Sequence, residues 1–345
     1  MTYLDVRALN KRWQATTAVD DVSFSLNENQ FTALLGPSGC GKSTTLNMIA
    51  GLEEPTSGEV WIGGENVTYK PPGMRGISMV FQSYALFPHL SVVENIVFGL
   101  KARKVAREER ERRLKSVLEL VNLGAVTHHK PAQLSGGQCQ RVALARAIVS
   151  QAPLCLMDEP LSNLDAKLRQ EMRSEIRALQ QQLGLAVLYV THDQIEAMSM
   201  ADEIILLNSG RIAQQGAPHE LYNTPENLFT AGFIGHPPMN ILISEHPQIL
   251  LGVRPEHISL CAANDGYAVR VIHSDYHGAD TLISVALGEQ TLKVSLQGHH
   301  RLQVGEMLTI VWQAEHEHYF YCDSGKRAAE THRFFPLISQ EVITC

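Results

Sequence analysis

One stretch of the chain has residue types and spacing that suit the binding of a phosphate group. Residues 36–43 read GPSGCGKS, between an apolar run and a predicted helix. The glycines let backbone N–H groups wrap an anion, and the helix that follows adds its positive N-terminal end. We expect Lys42 to reach the β- and γ-phosphates of a nucleotide and the Ser43 hydroxyl to ligate Mg²⁺. The alternative is a glycine-rich turn that matches by chance, which the strand–loop–helix context disfavours. The expected binding residues are Gly36, Pro37, Ser38, Gly39, Cys40, Gly41, Lys42, Ser43 and Thr44.

Two acidic residues follow another apolar run. Residues 154–157 read LCLM and lead directly into Asp158 and Glu159. An aspartate at a strand tip can hold Mg²⁺, directly or through water, and a glutamate beside it can polarise the attacking water. Taken alone, a strand that ends in two acidic residues is weak evidence, because many strands end in a solvated acidic turn. Together with residues 36–43 it predicts a P-loop NTPase that uses Mg²⁺.

A second anion site is predicted at residues 134–138, which read LSGGQ and begin a helix that runs to about Ser150. The Ser135 hydroxyl and the N–H groups of Gly136 and Gly137 lie at a helix start, where an anion is stabilised. This pentapeptide, which ends at Gln138, resembles the signature of ABC ATPases. The resemblance implies a homodimer that associates head to tail, with each ATP between Lys42 of one copy and Ser135 of the other.

The resemblance also implies roles for four residues elsewhere. Gln82 is similar to the glutamine that contacts Mg²⁺ and the water, and whose loop senses a membrane subunit. Asp165 closes the sequence SNLD, which resembles the loop that crosses the dimer interface. His192 resembles the histidine that holds the γ-phosphate; a lone histidine there would otherwise be a core residue. Trp13 resembles the aromatic residue that stacks on adenine, and the alternative is an ordinary half-buried aromatic.

The elements that must position these residues follow an α/β pattern. Apolar runs of strand length end at polar or glycine-rich segments, as buried parallel strands do. Amphipathic spacing predicts helices between them. The predicted strands are 31–35, 154–157 and 186–190, with a hairpin over 203–212 and helices around 114–121 and 168–183. The ABC resemblance adds a helical subdomain to this α/β domain, which we expect to span residues 1–235.

Composition changes near Gly235. Residues 236–250 are predicted to be a linker, because paired prolines resist helix and central strand. Short β-branched runs separated by glycines then predict a small all-β barrel or sandwich over 251–345. The predicted strands are 267–274, 281–287, 291–296 and 308–312.

Within ABC ATPases the chain most resembles the importer subunits for maltose, glycerol-3-phosphate and related solutes. Three stretches carry this likeness: residues 51–58, 233–240 and 251–257. It implies that the all-β part is an OB-like regulatory domain. The chain departs from the pattern at Cys139, where arginine or glutamine is usual, and in the short spacing between Asn240 and Leu251. A tolerated swap explains Cys139 more simply than a redox role does, and the short spacing puts regulation by a trimmed subdomain in doubt.

Bulk properties restrict the classes of function. The chain has 345 residues and a formal charge of −7, and neither half is basic, which argues against nucleic-acid binding. Six scattered cysteines indicate reduced thiols in a cytosol. No apolar run approaches the roughly 20 residues of a membrane span, and no signal peptide is indicated. The paired histidines His316 and His318 are expected on a solvated surface, with a metal site as the alternative.

These observations predict an ATPase subunit at the cytoplasmic face of the inner membrane. The resemblance implies two membrane-spanning permease subunits and an extracytoplasmic solute-binding protein as partners. A sugar or polyol phosphate is the expected solute, and polyamine, ferric ion, sulfate and phosphonate stay open. The alternative class is a non-transport ABC ATPase that acts in nucleic-acid repair, in translation or as a regulator. Such proteins carry a long insertion, two ATPase units or a basic surface, and this chain has none of these, although a purely regulatory role stays possible on sequence alone.

Overall fold

The computed structural model describes residues 1–262, 266–329 and 335–336. Its contacts divide the chain into two compact units, Met1–Pro218 and His219–Cys345. Among the described residues, no helix is both long enough and apolar enough to cross a bilayer.

The first unit is an α/β domain. Its strands in chain order are β1 (Thr2–Trp13), β2 (Thr16–Asn27), β3 (Phe31–Leu35), β4 (Ser57–Ile62), β5 (Glu65–Asn66), β6 (Ile77–Val80), β7 (Leu154–Asp158), β8 (Ala186–Thr191), β9 (Glu203–Asn208) and β10 (Arg211–Gly216). Its helices are α1 (Lys42–Ala50), α2 (Val92–Ala102), α3 (Arg107–Leu120), α4 (Gly136–Ile148), α5 (Ala166–Leu183) and α6 (Gln194–Met200).

A six-stranded sheet in the order β10-β9-β3-β8-β7-β6 forms the centre of this unit. Strands β9, β3, β8, β7 and β6 are parallel, and β10 closes one edge as the antiparallel arm of a hairpin with β9. β3 and β8 are buried along their whole length because they are apolar runs covered on both faces. The predicted strands and hairpin are confirmed. Their carboxyl ends meet at one edge of the sheet, which is where the predicted site residues follow.

Two apolar cores cover the faces of the central sheet. One lies towards an antiparallel sheet of order β2-β1-β4-β5 and includes Leu46 and Ile49 of α1. The other lies towards α2, α3, α4 and α5 and includes Ile96, Val142 and Ile176. The predicted helices around 114–121 and 168–183 are confirmed, since each buries its apolar face in this second core.

The second unit is mainly β structure. It contains α7 (Pro218–Asn223), which starts at the division, and α8 (Leu228–Phe233). Its strands are β11 (Asn240–Ile243), β12 (Ile249–Val253), β13 (Ser259–Leu260), β14 (Tyr267–Tyr276), β15 (Asp280–Leu287), β16 (Gln290–Gln297), β17 (Met307–Val311) and β18 (Glu317–Tyr321). They form two antiparallel sheets, β11-β12-β18 and β13-β17-β14-β15-β16, around one apolar core. The β-rich character and the four predicted strands are confirmed.

The division between the units differs from the predicted boundary at residue 235. Arg254 is 1% exposed and donates hydrogen bonds to the carbonyl oxygens of Tyr222, at 2.7 Å, and of Ile234. Ala231 of α8 packs against Phe320 of β18 in a small buried cluster. These contacts tie α7 and α8 to the strands that follow, although composition groups them with the residues before them.

The predicted linker 236–250 is only partly a linker. Its middle forms β11, which pairs with β12. The Asn240 side chain is fixed by the backbone of Lys293, at 2.8 Å to the carbonyl oxygen and 2.7 Å to the N–H. The two prolines precede this strand, so they do not prevent it. Of the predicted domain 251–345, residues 263–265, 330–334 and 337–345 lie outside the described part.

The expectation of a solvated surface at the paired histidines is wrong for His318. This residue is 8% exposed in β18, and burial lowers the pKa of its imidazole to about 4. His316 ends a 3₁₀ turn and stacks on His257 with ring centroids 3.9 Å apart. The described residues contain no cluster of three or more His, Cys, Asp or Glu that could hold a metal ion.

Candidate active site

The phosphate loop connects the buried strand β3 to the start of α1. Its shape depends on glycine at two positions. A Cβ atom on Gly36 would lie 2.4 Å from the Leu207 carbonyl oxygen, and one on Gly41, where φ is +101°, would lie 2.4 Å from that of Ala18. No side chain caps the N-terminus of α1. The loop can therefore lie close to the backbone at Leu207 and at Ala18. At the same time it presents the free N–H groups at the start of α1 to an anion.

Lys42 is buried within this loop. Its side chain is 5% exposed, and Nζ donates hydrogen bonds to the carbonyl oxygens of Gly36, at 2.8 Å, and Pro37, at 2.9 Å. A third, longer contact of 3.9 Å joins Nζ to the Cys40 sulfur. A buried cation held by such neutral groups favours an anionic partner. The position and the charge of Lys42 thus fit a nucleotide phosphate.

The other loop residues divide into exposed and buried positions. Ser38 and Gly39 are exposed, and Thr44 is half-buried in the first turn of α1. Cys40 is buried, its N–H donates to the Pro37 carbonyl oxygen at 3.3 Å, and burial raises the pKa of its thiol. Cys40 therefore stabilises the loop from inside. Sequence spacing alone did not distinguish this role from a direct contact with the nucleotide.

The structure brings two of the three predicted magnesium ligands, Ser43 and Asp158, together. Ser43 donates its hydroxyl hydrogen bond to Oδ1 of Asp158 over 3.0 Å. Burial raises the pKa of the Asp158 carboxyl group, with Glu159 adding to the effect. A hydroxyl and a desolvated carboxylate, both hard oxygen donors at the edge of a phosphate loop, are the kind of ligand that Mg²⁺ takes beside a nucleotide. These side chains fit that ion.

Glu159 and His192 form a second pair. Glu159 Oε2 and His192 Nδ1 are 3.1 Å apart, at the ends of the adjacent strands β7 and β8. Glu159 has a left-handed backbone with φ of +42°, a strained conformation for a residue other than glycine. Its N–H donates to the Val190 carbonyl oxygen at 3.0 Å, and the Ser162 hydroxyl donates to its carbonyl oxygen at 2.9 Å. These bonds fix the carboxylate at the sheet edge.

A small cavity of about 30 Å³ adjoins this pair. It is lined by Glu159, Ser162, Arg169, Thr191, His192, Asp193 and Glu196. A volume of roughly 10–15 Å³ measured in this way holds one water molecule where polar partners are present. The carboxylate of Glu159 therefore has room for a water molecule beside it.

The signature residues occupy the start of α4 as predicted. Ser135 and Gln138 cap the helix reciprocally: Oγ accepts from the Gln138 N–H at 3.3 Å, and Oε1 accepts from the Ser135 N–H at 2.9 Å. Gly136 and Gly137 are the first two helical residues, so their N–H groups have no intrahelical acceptor. A Cβ atom on Gly137 would come within 3.0 Å of Leu168, so glycine allows α4 to pack closely. Ser135 and Gln138 bond to each other and not to the phosphate loop.

The structure places the remaining predicted residues around these groups. Asp165 caps α5 by accepting a hydrogen bond from the Leu168 N–H at 3.0 Å. The Gln82 side chain is exposed, and the backbone carbonyl oxygen of Gln82 accepts from Asn163 Nδ2 at 2.9 Å. Trp13 ends β1 and is 45% exposed, with the Lys11 ammonium group 5.3 Å from the centre of its ring.

Cys139 lies half-buried on α4, with its sulfur 3.8 Å from the Pro131 carbonyl oxygen. Burial raises the pKa of its thiol, so less of the reactive thiolate is present at neutral pH. The redox hypothesis for Cys139 therefore loses support. Cys40, Cys155, Cys261 and Cys322 are also free thiols, and Cys345 lies outside the described residues.

Sequence reasoning missed several residues that build the site. Glu196 is 3% exposed and accepts hydrogen bonds from the hydroxyls of Tyr189, at 2.9 Å, and Thr191, at 2.7 Å. Arg146 and Asn163 bond to the backbone of the loop that carries Gln82. The available signal for Glu196 was an acidic residue one turn into a helix that directly follows His192.

Comparison with known proteins identifies the family. A family model described as ABC transporter matches residues 19–162, and one described as TOBE domain matches residues 251–320. The sn-glycerol-3-phosphate import ATP-binding protein UgpC of Cupriavidus necator is 42% identical, over 95% of this chain and 99% of that protein. The trehalose/maltose import ATP-binding protein MalK of Thermococcus litoralis is 42% identical, over 90% of this chain and 95% of that protein. A solved dimeric bacterial ABC transporter cassette superposes with a TM-score of 0.57 at 33% identity, over 62% of this chain and 98% of that one. The chain therefore belongs to the family of ABC transporter ATP-binding proteins.

Proposed function

We propose that this chain hydrolyses ATP with Mg²⁺ to power the import of a sugar or polyol phosphate. The observation that carries the proposal is the grouping of buried Lys42, the Ser43–Asp158 pair and the Glu159–His192 pair at one edge of the sheet. The solute class is supported by relatives named for the import of sn-glycerol-3-phosphate, trehalose or maltose, and xylose or arabinose.

Binding begins at the phosphate loop. The free N–H groups at the start of α1 and the Lys42 ammonium group hold the β- and γ-phosphates, and the exposed ring of Trp13 stacks on adenine. Ser43, Asp158 and Gln82 would hold Mg²⁺. When bound, this ion neutralises charge on the phosphate oxygens.

Glu159 acts as the general base. Its Oε2 atom lies 3.1 Å from His192 Nδ1, which leaves Oε1 for the attacking water in the adjoining cavity. Because Glu159 is fixed through its backbone by Val190 and Ser162, little reorganisation is needed to align this water. His192 in turn holds the γ-phosphate and orients the carboxylate.

The signature residues complete the site of a second copy. Ser135 and the N–H groups of Gly136 and Gly137 form an anion site at the start of α4, while Gln138 fixes the hydroxyl of Ser135 by capping. We propose that two copies associate head to tail, so that Ser135 of one copy faces the γ-phosphate held by Lys42 of the other. The loop that ends at Asp165 lies in this interface. A solved cassette dimer bound to ADP and Pi, 32% identical with a TM-score of 0.55, supports the association of two copies.

The energy is transmitted to two membrane-spanning permease subunits, which bring the chain to the cytoplasmic face of the inner membrane. An extracytoplasmic solute-binding protein delivers the solute. ATP favours the closed dimer over the open one. The difference in its affinity for the closed and the open dimer sets the work available for transport.

The test is a pull-down of tagged Glu159→Gln protein from detergent-solubilised host membranes with ATP present. Lys42→Ala protein is the matched control, because it lacks the phosphate contact that closure needs. Two multi-spanning proteins enriched over the control are expected, and transport assays with those proteins would identify the solute. Recovery of soluble partners alone, from membranes shown to contain the protein, would contradict import and favour a regulatory ATPase.

A further inference from the structure

The loop after Gln82 has an unusual backbone. Tyr84 and Ala85 are consecutive residues in the left-handed region, with φ of +61° and +45°. Neither is glycine, and the side chain of Ala85 is exposed, so no burial of that side chain offsets the steric cost. Tyr84 packs against the core towards α2, α3, α4 and α5, and its N–H donates to the Phe81 carbonyl oxygen at 2.9 Å, but Ala85 needs a partner beyond its own side chain to hold this conformation.

Arg146 makes the contacts that hold it. This residue lies in the last turn of α4, and its guanidinium group donates to both strained residues: Nη2 to the Tyr84 carbonyl oxygen at 2.7 Å and Nη1 to the Ala85 carbonyl oxygen at 2.6 Å. A planar fork with two parallel donors matches two neighbouring carbonyl groups, which a lysine ammonium cannot do. Arg146 thus stabilises the two residues as a pair.

Two other side chains fix the ends of the same segment. Asn163 donates to the Gln82 carbonyl oxygen at 2.9 Å. Asn95, which is fully buried, accepts from the Phe87 N–H at 2.8 Å and donates to the carbonyl oxygens of Phe87 and Leu90. With both ends held, the conformation at Tyr84 and Ala85 determines the path of the backbone that leaves Gln82.

We propose that Arg146 is a positioning residue that keeps the Gln82 loop in its strained conformation and couples that loop to the signature helix α4. The inference rests on the proposed role of Gln82 at the nucleotide. Since α4 begins at the signature and ends beside Arg146, a displacement of this helix moves the carbonyl contacts and, through them, the loop. Loss of the fork therefore affects the rate of hydrolysis more than the affinity for ATP, which the phosphate loop provides.

The experiment compares Arg146→Lys, Ala85→Gly, their double variant and Ala85→Val in the full chain. Steady-state ATP hydrolysis gives kcat and KM, and thermal unfolding gives Tm. Glycine at position 85 adopts a left-handed conformation freely, so it removes the need for the fork. Valine, which is β-branched, opposes that conformation although its side chain is in solvent.

We expect Arg146→Lys to lower kcat about tenfold with KM within about threefold, since a left-handed residue costs about 1–2 kcal/mol. Ala85→Gly alone should leave kcat within about twofold, and in the double variant it should restore most of the loss. A purely structural role for Arg146 would lower Tm without this rescue. The proposal is overturned if the double variant is no faster than Arg146→Lys.

Ala85→Val keeps the test decisive if Arg146→Lys does not fold. We expect Ala85→Val to keep the Tm of the wild type and to have a kcat about tenfold below that of Ala85→Gly. Equal kcat values for the two variants would overturn the proposal. Failure of the proposed function is distinguishable, because it would appear as an absence of ATP hydrolysis by the wild-type chain.

Discussion

Substitution of Gly41 by alanine is a sharp perturbation of the phosphate loop. The new Cβ atom would lie 2.4 Å from the Ala18 carbonyl oxygen of β2 and 3.3 Å from Cγ2 of Val19. The first of these partners is backbone inside a paired strand, so the loop itself must move. Gly39 offers a matched control, since its φ of +78° is also left-handed but a Cβ atom there has nothing within 4 Å.

The two substitutions differ in the free energy they cost. Gly39→Ala carries only the left-handed penalty, about 1–2 kcal/mol. Gly41→Ala carries the same penalty and in addition an overpacking term, typically about 1–3 kcal/mol. The loop moves to relieve the clash, and this displaces Lys42 and the first N–H groups of α1 from the phosphate. We therefore expect the larger part of the cost to appear as weaker nucleotide binding.

The assay is calorimetric titration of ATP into both variants and the wild type, with urea unfolding to separate affinity from stability. Gly39→Ala should bind within about tenfold of the wild type, and Gly41→Ala should bind at least about 30-fold more weakly. If both variants had the same affinity for ATP and the same free energy of unfolding as the wild type, the close backbone contact of Gly41 would be refuted.

Two further outcomes can be measured separately. Asp158→Asn removes a charged ligand beside Ser43, so the Mg²⁺ concentration for half-maximal hydrolysis should rise about tenfold or more, while an unchanged value would exclude Asp158 as a ligand. Burial keeps the pKa of His318 at about 4, below the ordinary 6.5, so the unfolded chain takes up its proton first as the pH falls. The free energy of unfolding should thus drop by about 2 kcal/mol between pH 7 and pH 5, and His318→Gln should lose less over that range, as urea unfolding at both pH values would show.

The strands and the site motifs could be predicted because their signals are local. Residues 31–35 and 186–190 are continuous apolar runs, and each leads within a few residues to polar groups at the same sheet edge. The two anion sites could likewise be placed at helix starts from glycine, serine and lysine alone. What such patterns cannot supply is the 3.1 Å approach of His192 Nδ1 to Glu159 Oε2, which depends on the pairing of two strands.

The features that escaped prediction depend on contacts between distant parts of the chain. Arg254 bonds to the backbone of Tyr222 and Ile234, so two helices that composition assigns to the first domain belong to the second unit. His318 alternates with His316 in sequence, but pairing of β18 with β12 buries it. Arg146 acts on a loop about 60 residues earlier, and no spacing rule connects the two.

The most direct test of the central claim is the rate of ATP hydrolysis by Glu159→Gln protein, measured in a single turnover beside ATP affinity. We expect the rate to fall by a factor of about 10² or more, since the general base is lost, while the Kd for ATP stays within a few-fold of the wild type and an ATP-bound dimer accumulates. Hydrolysis at the wild-type rate, with the same affinity, would contradict the assignment of Glu159 as the base that activates water.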